Sequence, residues 1–173
     1  DPDLAETAKQ CLAPWDNVQV ITGSGSDRAL EPAEAVYVSA DPARVLTPRS
    51  IADVAAARLI LPEAHWGNQD PTRRQLAERA QVAGLTIEPI VEVETPAAAI
   101  DLAARGVGDT IVSRPLVGLL DVDHRLRVVS LDPALKESFA FVTRRSARLS
   151  PATARLIELV TARLAVLHES GDA

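Results

Sequence analysis

The chain has 173 residues, of which 47% are hydrophobic and 24% are charged, and its net charge is −6. This composition suffices for a buried core, and the apolar runs are too short to cross a bilayer. The acidic balance argues against direct nucleic-acid binding, which requires clustered lysine and arginine to displace counterions. Cys11 is the only cysteine, so no internal disulfide can form, and a cytoplasmic location is expected.

Methionine is absent from the sequence, including from position 1. We therefore expect the chain to be a piece of a longer protein. No basic start is followed by an apolar run, and the sequence thus predicts no secretory signal.

The hydrophobic pattern predicts strands that alternate with helices along the whole chain. In order, we expect a helix over 3–12, strands over 17–22 and 35–39, a short helix over 50–55, a strand over 58–61, an irregular loop over 62–70, a helix over 71–82, a strand over 86–93, a helix over 96–105, strands over 110–112, 126–131 and 139–143, and a helix over 151–168. This alternation indicates an α/β fold with a parallel sheet.

The segment 91–113 carries the clearest local signal. Valines alternate with glutamates at its start, and Thr95 can then cap a helix that Pro96 opens, because proline at the first helical position has no amide to lose. Gly106 can end that helix in the left-handed conformation. A strand, a short helix and a second strand predict a right-handed crossover. Thr95 would then lie just beyond the carboxyl end of a strand, where open α/β sheets bind ligands.

Three predicted helices begin with a capping residue followed by proline. Two of them follow strands, so their partially positive amino ends can face one crevice. A carboxylate or another small anion is the ligand that such an arrangement predicts. The three starts are Asp70-Pro71, Thr95-Pro96 and Ser150-Pro151.

Motifs of catalysis and metal binding are weak in this sequence. The segment 23–26 (GSGS) lacks the third glycine of a dinucleotide loop and the lysine of a phosphate loop, and it predicts a turn. The three histidines have no metal-binding spacing, and Asp121 and Asp123 are typical of a polar turn. We therefore expect no catalytic residue, no cofactor and no metal.

The loop 62–70 (PEAHWGNQD) combines an aromatic ring, an imidazole, amides and carboxylates between a buried strand and a helix. Loops held on a rigid scaffold commonly carry binding residues. Two interpretations stay open, a ligand-binding loop or a solvated loop in which Trp66 folds over the core. Thr95 is either a cap alone or a cap that also contacts a ligand, and Ser113 is a strand-end hydroxyl that faces the same crevice in the binding interpretation.

Three successive segments resemble the effector-binding domain of LysR-type transcriptional regulators, over residues 34–167. They are RLILPE, a helix with Arg73 and Leu76, and VEVETPAAAIDLAARGVGDTIVSRPLV. The family's run there has an acidic strand end, an Ile/Leu pair, a Gly-x-Gly and a strand that closes in proline. The corresponding residues here are Glu92 and Glu94, Ile100 and Leu102, Gly106 and Gly108, and 111–115.

The resemblance implies two α/β lobes like those of a periplasmic binding protein (type 2 fold). The first lobe would comprise 1–38 and 144–173, and the second 39–143. The family's opening strand and its Leu-Asp strand have no counterpart, so the first lobe is expected to be shortened or incompletely represented. The winged helix-turn-helix that binds DNA in this family is absent from this chain.

By the same resemblance, a small anionic effector binds in the cleft between the lobes of a homodimer or homotetramer, and DNA contact occurs only through an N-terminal domain absent from this chain. No membrane partner is implied. A transporter's solute-binding protein with the same two lobes is the alternative, and a small α/β enzyme is a third. The crevice argument adds Trp66 and Ser113 to the implied contacts. The predicted effector contacts are Ser24, Pro62, Glu63, His65, Trp66, Thr95, Pro96 and Ser113.

Overall fold

In a computed structural model of the chain, the described residues are 18–21, 33–120, 124–137, 141–144 and 148–171. The chain divides into two compact units, Asp1–Ala33 with Ser138–Ala173 and Glu34–Glu137. The lobe boundaries expected from the sequence stay predictions. The helix expected over 3–12 and the candidate contact Ser24 lie outside the described residues.

The first unit contains a two-stranded sheet and a long helix. Strands β1 (Val18–Ile21) and β8 (Phe141–Arg144) pair antiparallel, from Val18 opposite Arg144 to Ile21 opposite Phe141. Helix α5 (Pro151–Gly171) begins as the sequence predicts, because the Ser150 hydroxyl accepts a hydrogen bond from the Thr153 amide at 3.1 Å. Within the described residues, no helix is long and apolar enough to cross a membrane.

The second unit holds a six-stranded mixed sheet with helices on both faces. Its first strand begins at Ala33, a residue assigned to the other unit. In chain order its elements are β2 (Ala33–Ser39), β3 (Arg49–Ser50), α1 (Ile51–Ala56), β4 (Leu59–Leu61), α2 (Pro71–Val82), β5 (Val91–Glu92), α3 (Pro96–Ala104), β6 (Asp109–Ser113), α4 (Arg114–Leu119) and β7 (Arg127–Glu137). Short 3-10 turns cover Pro42–Val45 and Gly67–Gln69.

The strand order is β3-β7-β2-β6-β4-β5. Strand β4 is parallel to both β5 and β6, β3 is parallel to β7, and β2 is antiparallel to β6. Helix α3 therefore connects two strands that lie on either side of β4 rather than side by side. The predicted α/β class is confirmed, with a mixed sheet instead of an entirely parallel one.

Helices α2 and α3 pack on opposite faces of this sheet. Successive strand residues point to alternate faces, and two core clusters result. On one face Leu76 of α2 and Val54 of α1 pack with strand residues; on the other, Ile100 and Ala103 of α3 do so. The strand residues are Tyr37, Leu59, Leu61 and Ile111 in the first cluster, and Val36, Val38 and Val112 in the second.

Two strand predictions differ from the structure. The strand expected over 86–93 is reduced to Val91–Glu92, since Pro89 has no amide to donate to a ladder. Strand β7 runs to Glu137 rather than to Leu131, although its segment 132–137 (DPALKE) has the composition of a turn. The short helix α4 was not expected from the sequence.

A candidate ligand site at the carboxyl edge of the sheet

Three neighbouring parallel strands end at one edge of the second unit's sheet. Strand β4 leads into the loop 62–70, β5 leads into Thr95 and Pro96, and β6 ends at Ser113. The topology thus brings the second-lobe candidates to a common edge. The amino ends of α2 and α3 both lie at this edge, but on opposite faces of the sheet.

The loop 62–70 is attached to the end of β5 by its backbone. The Ala64 amide donates to the carbonyl of Val93 at 3.0 Å, and the Val93 amide donates to the carbonyl of Leu61 at 3.0 Å. Within the loop, the amides of Trp66 and Gly67 both donate to the Glu63 carbonyl at 3.1 Å. The loop is therefore a compact turn with defined hydrogen bonds.

The aromatic side chains of this loop are exposed. Trp66 keeps 56% of its surface accessible, so it does not fold over the core. Its ring meets that of His65 edge to face, with 5.6 Å between centroids and an angle of 86°. Such a pair leaves an apolar ring face available for the body of a small molecule.

Glu63 has a strained backbone beside other carboxylates. Its φ is 61°, a left-handed conformation that is costly for a residue with a Cβ. Burial raises the pKa of its carboxyl, and the charges of Asp70 and Glu94 raise that pKa further. Strain of this kind concentrates at binding sites.

Replacement of Glu63 by glycine is expected to raise the free energy of unfolding by about 1 kcal/mol, since glycine adopts this φ without a Cβ clash. Because the folded-state pKa of Glu63 is raised, the stability that its protonation contributes is present below the ordinary glutamate pKa. It is lost as pH rises through the raised value. The advantage of the variant therefore grows with pH, as urea unfolding in acidic and neutral buffer can measure.

The matched control is Glu88→Gly, because Glu88 is an exposed glutamate outside regular structure whose φ is not positive. There glycine only adds freedom to the unfolded chain, and a loss of about 0.5 kcal/mol is expected. An equal loss of unfolding free energy in Glu63→Gly and Glu88→Gly would contradict backbone strain at Glu63.

Thr95 is the cap of α3, as the sequence predicts. Its Oγ1 accepts a hydrogen bond from the Ala98 amide at 3.3 Å, and Pro96 occupies the first turn. The Thr95 side chain is exposed. The cap is thus part of the structure, and the contact of Thr95 with an effector stays a prediction.

Ser113 ends β6 in a buried position. It is 5% exposed, and its Oγ has no hydrogen-bond partner among the described residues. The adjacent Arg114 instead reaches Glu34 at 2.7 Å and the Ser130 hydroxyl at 3.1 Å. Ser113 is therefore buried in this structure, and its contact with a ligand stays a prediction.

Arg73 is the residue at this edge whose role the sequence did not reveal. Its side chain is only 10% exposed. Nη1 donates to the Pro62 carbonyl at 3.1 Å, while Nη2 pairs with the carboxylate of Glu92. Arg73 therefore joins the ends of β4 and β5. The sequence signal that could have identified this role is an arginine in the first turn of a helix that follows a strand and a loop.

The local charge is mixed. Arg73 neutralises Glu92. Asp70 and Glu94 lie close enough to Glu63 for their charges to act on its carboxyl. The carboxylates oppose an anion over the loop, and the amino end of α3 favours one beside Thr95. The amino end of α3 is thus the part of this edge that favours an anion, while Glu94 immediately before Thr95 opposes one.

A carboxyl edge that carries a structured loop, exposed aromatic rings and a capped helix start is the place where open α/β domains typically bind small molecules. The family profile described as "LysR substrate binding domain" matches residues 31–165. The chain belongs to this family, the effector-binding domains of LysR-type transcriptional regulators. The predicted periplasmic-binding-protein-like type 2 fold is confirmed with it. No curated protein matches the chain.

Solved structures share this fold at low sequence identity. The Synechocystis PCC6803 CcmR regulatory domain in complex with 2-PG has a TM-score of 0.61 at 12% identity, over 93% of this chain and 79% of that one. The QuiR effector-binding domain in complex with shikimate has a TM-score of 0.60 at 14% identity, over 97% of this chain and 78% of that one. A Corynebacterium glutamicum OxyR C206 mutant has a TM-score of 0.61 at 13% identity, and the match covers 98% of this chain but 54% of that one.

Proposed function

We propose that this chain senses a small-molecule effector for a DNA-binding transcriptional regulator, at the carboxyl edge of β4, β5 and β6. The observation that carries the proposal is the junction of the loop 62–70 with the end of β5, which places Trp66 and Thr95 at one edge. Relatives of the same fold in complex with 2-PG and shikimate support it. DNA contact would come from a domain outside this chain, in a cytoplasmic homodimer or homotetramer.

The proposed effector carries an anionic group, with a carboxylate as the simplest case. That group lies at the amino end of α3, where the amide of Ala97 and the hydroxyl of Thr95 are available. Its body lies toward Trp66 and His65, whose rings are exposed. The carboxylate of Glu63 sets the orientation, because it repels the anionic end from the loop.

Thr95→Val is expected to weaken effector binding about tenfold, since one hydrogen bond to a charged group is lost. The fold is kept, with a loss of about 1 kcal/mol in unfolding free energy from the missing cap. A thermal-shift screen of small carboxylates, each paired with its neutral amide, identifies the effector, and calorimetry then gives both affinities.

Ser150→Ala is the matched control, because Ser150 caps α5 in the other unit. It removes a cap of similar strength and leaves the affinity unchanged. An unaltered affinity in Thr95→Val would remove Thr95 from the site. A screen in which amides bind as well as carboxylates would reject the anionic effector.

A further inference from the structure

Helix α2 is bonded at its amino end to the candidate ligand loop. Asp70 caps it, with the Arg73 amide donating to Oδ1 at 2.9 Å. The guanidinium of Arg73 holds the Pro62 carbonyl and the Glu92 carboxylate. The first turn of α2 is therefore fixed to the ends of β4 and β5, and any displacement of the loop acts directly on this turn.

A second set of side chains bonds one face of α2 to the carboxyl half of β7. Thr72 donates to Glu137 Oε1 at 2.5 Å, and Gln75 Nε2 donates to the Lys136 carbonyl at 3.0 Å. Arg79 spans two carbonyls, with Nη1 at 2.5 Å from that of Pro133 and Nη2 at 2.8 Å from that of Ala134. Four acceptors of one strand are thus held by a single helix.

The three donors are spaced as one helical face requires. Thr72, Gln75 and Arg79 stand at i, i+3 and i+7, so they project from the same side. Their acceptors run backwards along β7, from Glu137 to Pro133. Glu137 is the last residue of the second unit, and Ser138 is the first residue of the segment that returns to the other unit.

The core packing of α2 does not depend on these polar bonds. Leu76 and Ala80 are each 1% exposed, and Leu76 belongs to the cluster beneath the helix. The donors are only half-buried, and a single hydrogen bond contributes only a small part of the global stability. The bonds to β7 can therefore be removed while the helix stays in place.

We propose that α2 transmits a change in the loop 62–70 to the carboxyl end of β7, and so to the chain that leaves the second unit at Glu137. The inference rests on the proposed function, because the change in the loop is effector binding. Arg73 and Arg79 are separated by about 9 Å along the helix axis. A rigid helix with hydrogen bonds at both ends is one physical route for coupling over such a distance. Since coupling is reciprocal, release of α2 from β7 must also be felt in the loop.

The test is Arg79→Ala in the full chain, with amide hydrogen exchange measured residue by residue by NMR. The amides of Ala64 and Trp66, which hold the loop to β5 and to itself, are expected to exchange about fivefold faster, an increase typical of local opening. Arg79→Lys, which keeps the charge and one hydrogen bond, restores at least part of the protection. Amides in the interior of α2 keep their wild-type protection.

Arg105→Ala is the matched control, because Arg105, the residue that follows α3, pairs with Asp101 of that helix and its side chain is 67% exposed. It leaves exchange of the Ala64 and Trp66 amides unchanged. Unchanged loop exchange in Arg79→Ala would overturn the proposal, as would an equal rise in Arg105→Ala. A parallel loss of protection throughout α2 would overturn it too, because Arg79 would then act only on helix stability.

This experiment needs no effector. A carboxylate screen without a hit would count against the proposed function while the exchange result still decides the coupling. Conversely, a confirmed effector with unchanged loop exchange in Arg79→Ala would retain the site and reject α2 as the route.

Discussion

Gly108→Ala is expected to lower the free energy of unfolding by about 3 kcal/mol, the upper range for overpacking in a core. A Cβ at position 108 would lie 2.2 Å from the backbone oxygen of Arg58 and 3.2 Å from Cγ1 of Ile60. That oxygen also accepts the Asp109 amide at 2.9 Å. Relief of the clash therefore separates β6 from β4, and urea unfolding monitored by circular dichroism measures the loss.

Gly118→Ala is the control for this variant. Gly118 lies in α4, and an added Cβ there meets no atom within 4 Å. Alanine is favoured over glycine in a helix by up to about 1 kcal/mol, so the control is expected to be at least as stable as the wild type. Equal destabilisation by the two substitutions would contradict the close approach at Gly108.

Asp109→Ala is the second substitution with a large expected effect, a loss of about 3 kcal/mol, because two buried hydroxyls lose their acceptor. Asp109 is 3% exposed. It accepts from the Tyr37 hydroxyl at 2.6 Å, the Ser39 hydroxyl at 2.5 Å and Arg44 Nη1 at 2.5 Å. Arg44 is 40% exposed, so solvent can replace its pairing and it adds little to the loss.

Asp101→Ala removes a carboxylate that is 59% exposed and pairs along its own helix, and it should change stability by less than about 0.5 kcal/mol. A similar loss of unfolding free energy in Asp101→Ala and Asp109→Ala would contradict a stabilising role for the buried hydrogen bonds of Asp109.

Tyr37 provides a spectroscopic readout of the same network. It is the only tyrosine in the chain, so phenolate absorbance reports on it alone. Burial raises the pKa of Tyr37, and the hydrogen bond to Asp109 raises that pKa further. The stability that this shift contributes is present below the ordinary tyrosine pKa and is lost as pH rises above it. In Asp109→Ala the tyrosine should titrate at lower pH.

The sequence predicted the elements whose signals lie within a few residues. The starts of α2, α3 and α5 follow from a capping side chain and a proline, and the structure shows the cap bonds to Arg73, Ala98 and Thr153. Their physical basis is local, since a cap satisfies an amide three residues away. The resemblance over residues 34–167 likewise predicted the family that the profile match shows.

The sequence alone did not predict interactions between residues distant along the chain. Asp109 meets Tyr37 from 72 positions away, and Arg73 meets Glu92 across 19. The position of β5 beside β4 could not be predicted either, because hydrophobic alternation and turn residues do not determine which strand pairs with which. Hydrogen bonding and burial against a particular strand decide it.

The sequence by itself determined the α/β class, the capped helix starts and the family, because backbone capping and hydrophobic periodicity act over one or two turns. Only the tertiary structure decided that α2 and α3 lie on opposite faces with their starts at one edge. It also decided that Arg73 ties two strands together and that α2 is bonded to β7. These features depend on which faces of the sheet the helices cover, and that choice is made by burial of distant residues in a common core.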